Sequence, residues 1–314
     1  MHSHHSHSGQ YVQHAKDSLE ECVQAAKDKK FEVFCLTEHM PRSNEKDLYP
    51  EEIETNTTPA DLAKVFDDYV KHARQLQKDN TSGTELLVGF ECESIRPECW
   101  DRAVELKKQY GLDLCVGSVH HVNGIPIDFS QGQWCDAADS VSDMLNDSTT
   151  AEHALYLKYY QTQWEMLQKL KPEVVGHFDL IRLYSTIREG TGATQDYVRQ
   201  NWPDVWDQII KNIDFIISYG GFIEVSSAPL RKGWDTPYPR PDICKAVMNR
   251  GGRLCLSDDS HGVAQVGLNY KKTLEYLEGL GVKELWYLTK KSGKVEAQKI
   301  EIVRAKEAGF WVSC

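Results

Sequence analysis

Seven short segments that read as strands each end in an imidazole or a carboxylate, and this recurrence constrains the fold more than any other feature of the chain. HSHSG supplies His5 and His7, LTEH supplies Glu38 and His39, and VGFE supplies Glu91. GSVHH adds His120 and His121, VGHFD adds His177 and Asp179, IEVSS adds Glu224, and LSDDSH adds Asp258, Asp259 and His261. In a parallel α/β barrel the C-terminal strand ends open on one face, so residues far apart in sequence converge there. Imidazole with carboxylate suits zinc, manganese or iron, and a carboxylate can bridge two ions. The pattern therefore predicts a multinuclear metal site at the mouth of a barrel.

Strands are expected over 2–7, 33–37, 86–91, 114–119, 174–178, 222–225, 253–257 and 284–288, from their β-branched and apolar content. Helical periodicity falls between most of them, over 18–30, 59–78, 96–111, 151–171, 203–220 and 241–251. Alternation of this kind is the signature of parallel strands with crossover helices. No repeat or long Pro/Ser/Gly-rich linker divides the 314 residues, so a single domain over 1–314 is expected. The polar stretches at about 40–58 and 123–149 exceed an ordinary βα loop and read as insertions over the active face.

A hydrophobic content of 40% with 26% charged residues is an ordinary globular balance. The formal charge of −11 argues against a nucleic-acid partner or an anionic membrane surface. No run approaches a membrane span, and MHSHHSHSG lacks the apolar core of a signal peptide, so a cytoplasmic protein is expected. The nine cysteines (Cys22, Cys35, Cys92, Cys99, Cys115, Cys135, Cys244, Cys255 and Cys314) include no C-x-x-C pair and read as buried thiols.

Local spacing sharpens the metal reading. Residues i and i+2 of a strand share a face, so His5-x-His7 and Asp259-x-His261 each aim two ligands the same way. His2-x-His4 has the same spacing on the opposite face; His5 and His7 are preferred because Ser8-Gly9 lets the chain turn just after them. Interleaved serines and direct continuation into QYVQHAKDSLEE argue against an appended tag. His72 and His153, in helical stretches, read as packing or surface residues, and His121 and Asp258 point away from their ligand neighbours.

HSHSGQYVQHAKDSLEE resembles the first motif of the PHP family, named for polymerase and histidinol phosphatase, in which H-x-H precedes a third histidine, here His14. LTEHMPR, VGFECE, GSVHH, GHFDLIR and SDDSH resemble the remaining motifs in the family's order. EVSSAPLRKGWDTPYP, with L-R-K followed by Y-P, is similar to the histidinol-phosphatase branch, and the N-terminal motif reads like its fungal members. Ser226-Ser227 stands where that branch usually has Asn-Thr. The resemblance implies a distorted seven-stranded TIM-like (β/α) barrel with about three divalent ions. It implies His5, His7, Glu91 and Asp259 around one ion, Glu91, His120 and His177 around a second, and His14, His39 and His261 around a third. The activity it implies is hydrolysis of L-histidinol phosphate, a step of histidine biosynthesis.

A phosphate monoester dianion repels nucleophiles, so its hydrolysis needs charge neutralisation and hydroxide at neutral pH. Clustered divalent ions meet both needs, lowering the pKa of bound water from about 15.7 towards about 7. Glu91, Asp259 and His261 are the expected catalytic centre, and a metal-bound water, Asp179 or Glu224 is the expected proton donor for the leaving alkoxide. Arg231 is the first choice for phosphate, followed by Arg182, Arg42 and Lys232, and Glu38 or Glu224 is expected to receive the substrate ammonium.

Three rival readings fit less well. An amidohydrolase usually closes on a lone Asp with a bridging Lys, whereas Asp259 is paired with His261. An exonuclease of the same family needs a basic track that this acidic chain lacks. A purely structural metal protein has closed Cys/His sets, unlike these mixed donors.

Overall fold

Buried valine, leucine and isoleucine runs pair as strands, and amphipathic helices with explicit caps cover them, in a computed structural model that describes residues 1–145, 149–187 and 196–307. The strands are β1 (His2–Ser3), β2 (Ser6–His7), β3 (Val33–Leu36), β4 (Glu85–Cys92), β5 (Leu114–Gly117), β6 (His121–Val122), β7 (Ile125–Pro126), β8 (Val174–Val175), β9 (Phe222–Ser226), β10 (Arg253–Ser257), β11 (Ser260–His261), β12 (Glu284–Lys291) and β13 (Lys294–Glu301). The helices are α1 (Leu19–Asp28), α2 (Pro50–Glu54), α3 (Pro59–Asp79), α4 (Pro97–Tyr110), α5 (Gln131–Asp139), α6 (Ala151–Leu170), α7 (Tyr197–Asn201), α8 (Pro203–Tyr219), α9 (Ala228–Arg231), α10 (Pro241–Asn249), α11 (Tyr270–Gly279) and α12 (Ile302–Glu307).

Seven strands form one parallel sheet in the order β1, β3, β4, β5, β8, β9, β10. Its two ends meet where His4 N donates to Leu256 O at 3.3 Å, so the sheet curls into a nearly closed α/β barrel. Val33, Cys35, Leu87, Leu114, Val116, Val174, Phe222 and Cys255 form a buried cluster from alternate strand positions. The opposite strand faces, with Phe34, Val88, Phe90 and Leu256, join the larger cluster shared with the helices. Capping boxes start α1 (Ser18 with Glu21) and α3 (Thr58 with Asp61), satisfying amide groups that a helix N-terminus otherwise leaves unpaired.

Two expectations need correction. The segment 284–288 is a strand, but it belongs to an antiparallel hairpin with β13 outside the parallel sheet. Its Leu288 joins the barrel-strand cluster, Leu288 N donates to His4 Nε2 at 3.1 Å, and Tyr287 stacks on His2 at 5.2 Å. The hairpin thus packs against the barrel at the His2 and His4 side, which removes those two histidines from the metal question. Segment 2–7 is also not one strand: it breaks after Ser3, and β2, still bonded to Thr37 just past β3, pairs in parallel with β11.

The stretch 40–58 contains a short 3-10 turn (Glu45–Asp47) and α2, and 123–145 contains β7, α5 and a second 3-10 turn (Ser142–Met144). Seven of the eight described cysteines are buried free thiols; Cys135 is exposed on α5, and Cys314 lies outside the described residues. Among the described residues no helix is long and apolar enough to cross a membrane.

Candidate metal centre

Glu91, near the C-terminal end of β4, is the hub. Its carboxylate oxygens lie 3.2 Å from His5 Nε2, 3.4 Å from His7 Nε2, 3.0 Å from His39 Nδ1, 3.4 Å from His120 Nε2 and 3.1 Å from His177 Nε2. His5 and His7 bring their Nε2 atoms within 3.1 Å of each other, and so do His120 and His177. Donors bound to one ion at about 2.1 Å stand roughly 3–3.4 Å apart. The donor spacing and the mixed N/O chemistry therefore fit divalent cations.

The break between β1 and β2 and a matching break between β10 and β11 create this convergence. Asp259, in the second break, adopts the left-handed region at φ 47°, a conformation that costs a non-glycine residue about 1 kcal/mol. Its Oδ1 comes 3.7 Å from His5 Nε2 and 3.6 Å from His7 Nε2. Parallel pairing of β2 with β11 sets His7 directly beside His261, with ring centroids 4.6 Å apart. His7, His39 and His261 offer donor atoms all within 4.8 Å of one another.

His14 stands apart from that group. Its Nδ1 meets Glu51 Oε1 at 3.0 Å, its ring lies 5.4 Å from His39 and 5.3 Å from His261, and its side chain is 34% exposed. Glu93 is a residue that sequence reasoning missed. It is fully buried, its Oε1 lies 2.5 Å from His39 Nδ1 and its Oε2 3.6 Å from His120 Nδ1, and it also contacts Tyr49 Oη. The i, i+2 relation of Glu91, in β4, and Glu93, one residue past its end, is the signal in the sequence.

Charge balance shapes the titration of these groups. Burial disfavours the His5 imidazolium, but Glu91, Glu224 and Asp259 outweigh it and raise its pKa well above the usual range. The same contest, with Glu93 as the leading carboxylate for His39 and Glu91 for His120, raises these to about 10 and about 9. Burial opposes ionisation of Glu91 and Asp259 too, yet the surrounding imidazoles hold both well below the ordinary carboxylate range. Burial and neighbouring His39 push His14 down to about 4. The carboxylates thus demand positive charge, which protons or divalent ions can meet in competition.

Several expected substrate contacts are occupied elsewhere. Glu38 accepts from Ser8 N at 3.0 Å and Ser8 Oγ at 2.6 Å and faces His7 Nδ1 at 3.6 Å. Glu224 meets His5 Nδ1 at 3.0 Å and accepts from His177 N at 2.5 Å. Glu224 thus orients His5, Glu38 is held by Ser8, and neither carboxylate borders the cavity over the cluster. Asp179 is buried and accepts from Arg240 N at 2.9 Å, so it does not reach a leaving group. Arg182 is also buried and donates to Thr236 Oγ1, Thr236 O and Pro237 O, away from the cavity. Arg42 is engaged by Glu52, with Glu93 3.6 Å away.

A cavity of about 360 Å³ opens over the cluster, bounded by Glu91, His120, His177, Asp259 and His261 and by Arg231 and Lys232. Arg231 donates to Asp258 O at 2.8 Å and Asp259 O at 2.7 Å, bracing the strained turn that presents Asp259. These bonds use only part of the guanidinium's five donors. Tyr49 from one inserted stretch and Asp128 and Phe129 from the other line the same cavity.

The PHP domain family model matches residues 3–228, the span that contains every donor named above except Asp259 and His261. The chain belongs to the PHP domain family. It is 40% identical over 302 residues to the histidinol-phosphatase of Saccharomyces cerevisiae, covering 88% of each chain. It is 42% identical over 290 residues to a Schizosaccharomyces pombe protein named "Probable histidinol-phosphatase", covering 92% of this chain and 89% of that one. Among solved structures, the fold is similar to histidinol phosphate phosphatase from Lactococcus lactis complexed with zinc, L-histidinol and phosphate, at TM-score 0.63 and 15% identity. That likeness covers 94% of this chain and 98% of the other.

Proposed function

We propose that this PHP-family chain is a metal-dependent phosphoric monoester hydrolase that converts L-histidinol phosphate to L-histidinol and phosphate. The observation that carries the reading is the convergence of five imidazoles on Glu91 under a cavity edged by Arg231, in a chain with histidinol-phosphatase relatives at about 40% identity over most of its length.

The residues proposed to hold cations are His5, His7, Glu91 and Asp259 in one set and Glu91, His120 and His177 in another. His39 and His261 form the core of a third, with His7, His14 or Glu93 completing it, so about three ions are proposed. Zinc, manganese and iron all suit these donors. When bound, such ions supply Lewis acidity and a nucleophilic water at neutral pH.

The chain's own groups do the rest. Glu224 fixes the ring of His5, whose Nε2 lies 3.1 Å from His7 Nε2, and the Glu38 carboxylate lies 3.6 Å from the far nitrogen of His7. Arg231, with Lys232 beside it, neutralises the phosphate from the cavity wall. Burial of most of the donors lowers the local dielectric beneath the cavity, which strengthens the electrostatic attraction for the phosphoryl group.

The chain is proposed to act as one barrel unit on a small molecule, not on nucleic acid, given its charge of −11. A reducing, cytoplasmic setting is proposed from its eight described free thiols. The test is phosphate release from L-histidinol phosphate beside p-nitrophenyl phosphate and a 3′-phosphorylated oligonucleotide, with and without chelator. Preference for the first, lost on chelation, is expected. Activity on the generic ester alone would reject the substrate, and chelator-insensitive turnover would reject the metal centre.

A further inference from the structure

A substrate that joins a phosphate to an ammonium group needs an anionic partner as well as a cationic one. Glu38, bonded to Ser8, and Glu224, bonded to His5 and His177, do not line the cavity, which must find that anion elsewhere. Its carboxylates are Glu91, Asp259 and Asp128, and the first two belong to the donor cluster. Asp128 is half-buried in the bend between β7 and α5, and among the described residues it makes no hydrogen bond or ion pair. Its field reaches the cluster all the same, since it is one of the charges raising the pKa of His120.

The surroundings suit an organic cation. Phe129, next in sequence, is 48% exposed at the cavity and lies 6.3 Å from the Tyr49 ring. Tyr49 is held in place by its hydroxyl contact with Glu93 and by Arg42 at 4.4 Å from its ring. The cavity wall therefore carries both signs of charge, Arg231 and Lys232 as cations and Asp128, next to Phe129, as an anion outside the donor cluster.

We propose that Asp128 determines substrate specificity by receiving the ammonium group of the phosphate ester, so that the enzyme selects esters whose alcohol carries an amine near the ester carbon. This rests on the phosphomonoesterase reading above and deepens it. An ammonium–carboxylate contact away from bulk water is a charge-assisted hydrogen bond, and removing one partner leaves the other desolvated and unpaired.

The experiment compares kcat/KM for L-histidinol phosphate and for its desamino analogue, 3-(imidazol-4-yl)propyl phosphate, in the metal-loaded wild type, Asp128→Asn and Asp128→Glu. The wild type is expected to favour the aminated ester, and Asp128→Asn to lower that preference by roughly 10- to 100-fold. Asp128→Glu, which keeps the charge, is expected to retain most of it. Equal losses on both esters, or an unchanged ratio in Asp128→Asn, overturn the assignment of Asp128 alone. A wild type that hydrolyses p-nitrophenyl phosphate but neither imidazole ester overturns the substrate reading and this assignment with it.

Discussion

Glu224 Oε1 stands 3.0 Å from His5 Nδ1, while the other nitrogen of the same ring faces Glu91 at 3.2 Å. One carboxylate thus fixes the tautomer and orientation of a ring whose far side points into the candidate metal centre, and its second oxygen holds the His177 amide at 2.5 Å. Losing an outer carboxylate of this kind typically costs 10- to 100-fold in metal affinity. Glu224→Gln is therefore expected to weaken metal binding by about that factor, read by competition against a calibrated chelator. Unchanged affinity would mean that the ring needs no such support.

Metal removal should also be visible in stability. A ligand that binds only the folded chain stabilises it by about 4 kcal/mol at a thousandfold excess over Kd. Stripping the ions is expected to lower Tm by several degrees, and adding back zinc or manganese should restore it. A melting curve insensitive to chelator and to added metal would argue that the buried carboxylates and imidazoles are balanced by protons alone.

The convergence of donors is legible in the sequence because strand ends carry it: Glu91, His120, His177 and Asp259 each follow an apolar run. Their exact partners were not readable. His5 and His7 converge because the strand breaks after Ser3, and Asp259 joins them through a left-handed turn. Neither event follows from two-residue periodicity. The substrate contacts expected of Glu38, Glu224 and Arg182 differ from the structure for a related reason. A strand-end position says that a side chain is near the mouth, but only the fold shows whether a histidine or a carbonyl has already claimed it.

The two arginines make a clean contrast. Arg231 lines the cavity, so Arg231→Lys, which loses the bidentate fork, is expected to raise KM for the phosphate ester by about tenfold. Arg182 is wholly buried, with its guanidinium over Tyr238 at 4.9 Å and bonded to two backbone carbonyls. Arg182→Ala is expected to destabilise the fold by about 3 kcal/mol, because it leaves those carbonyls without a donor and removes the cation 3.4 Å from buried Asp179. Urea unfolding and steady-state kinetics on both variants check this, and a KM effect confined to Arg182→Ala would reverse the two assignments.

Asp113 shows how the fold carries its own pH dependence away from the site. Its Oδ2 accepts from Arg74 at 2.6 Å, Gln77 at 3.0 Å and Val88 N at 2.9 Å, and its Oδ1 accepts from Lys290 at 2.8 Å. It thereby ties α3, β4 and the β12–β13 hairpin together. Burial disfavours its charge, but Lys290 and the other donors prevail and lower its pKa below the usual value. The folded chain therefore binds the Asp113 proton less readily than the unfolded chain, whose value is about 3.9. Its contribution is complete above that value and is lost as pH falls through the lower folded pKa. Asp113→Asn is expected to cost about 2 kcal/mol at pH 7, with the gap from wild type narrowing only below about pH 4. Urea midpoints at pH 7, 5 and 3.5 test it. A gap that closes already between pH 7 and 5 would place the titrating group elsewhere, and no gap at pH 7 would mean that the neutral amide serves the three elements equally well.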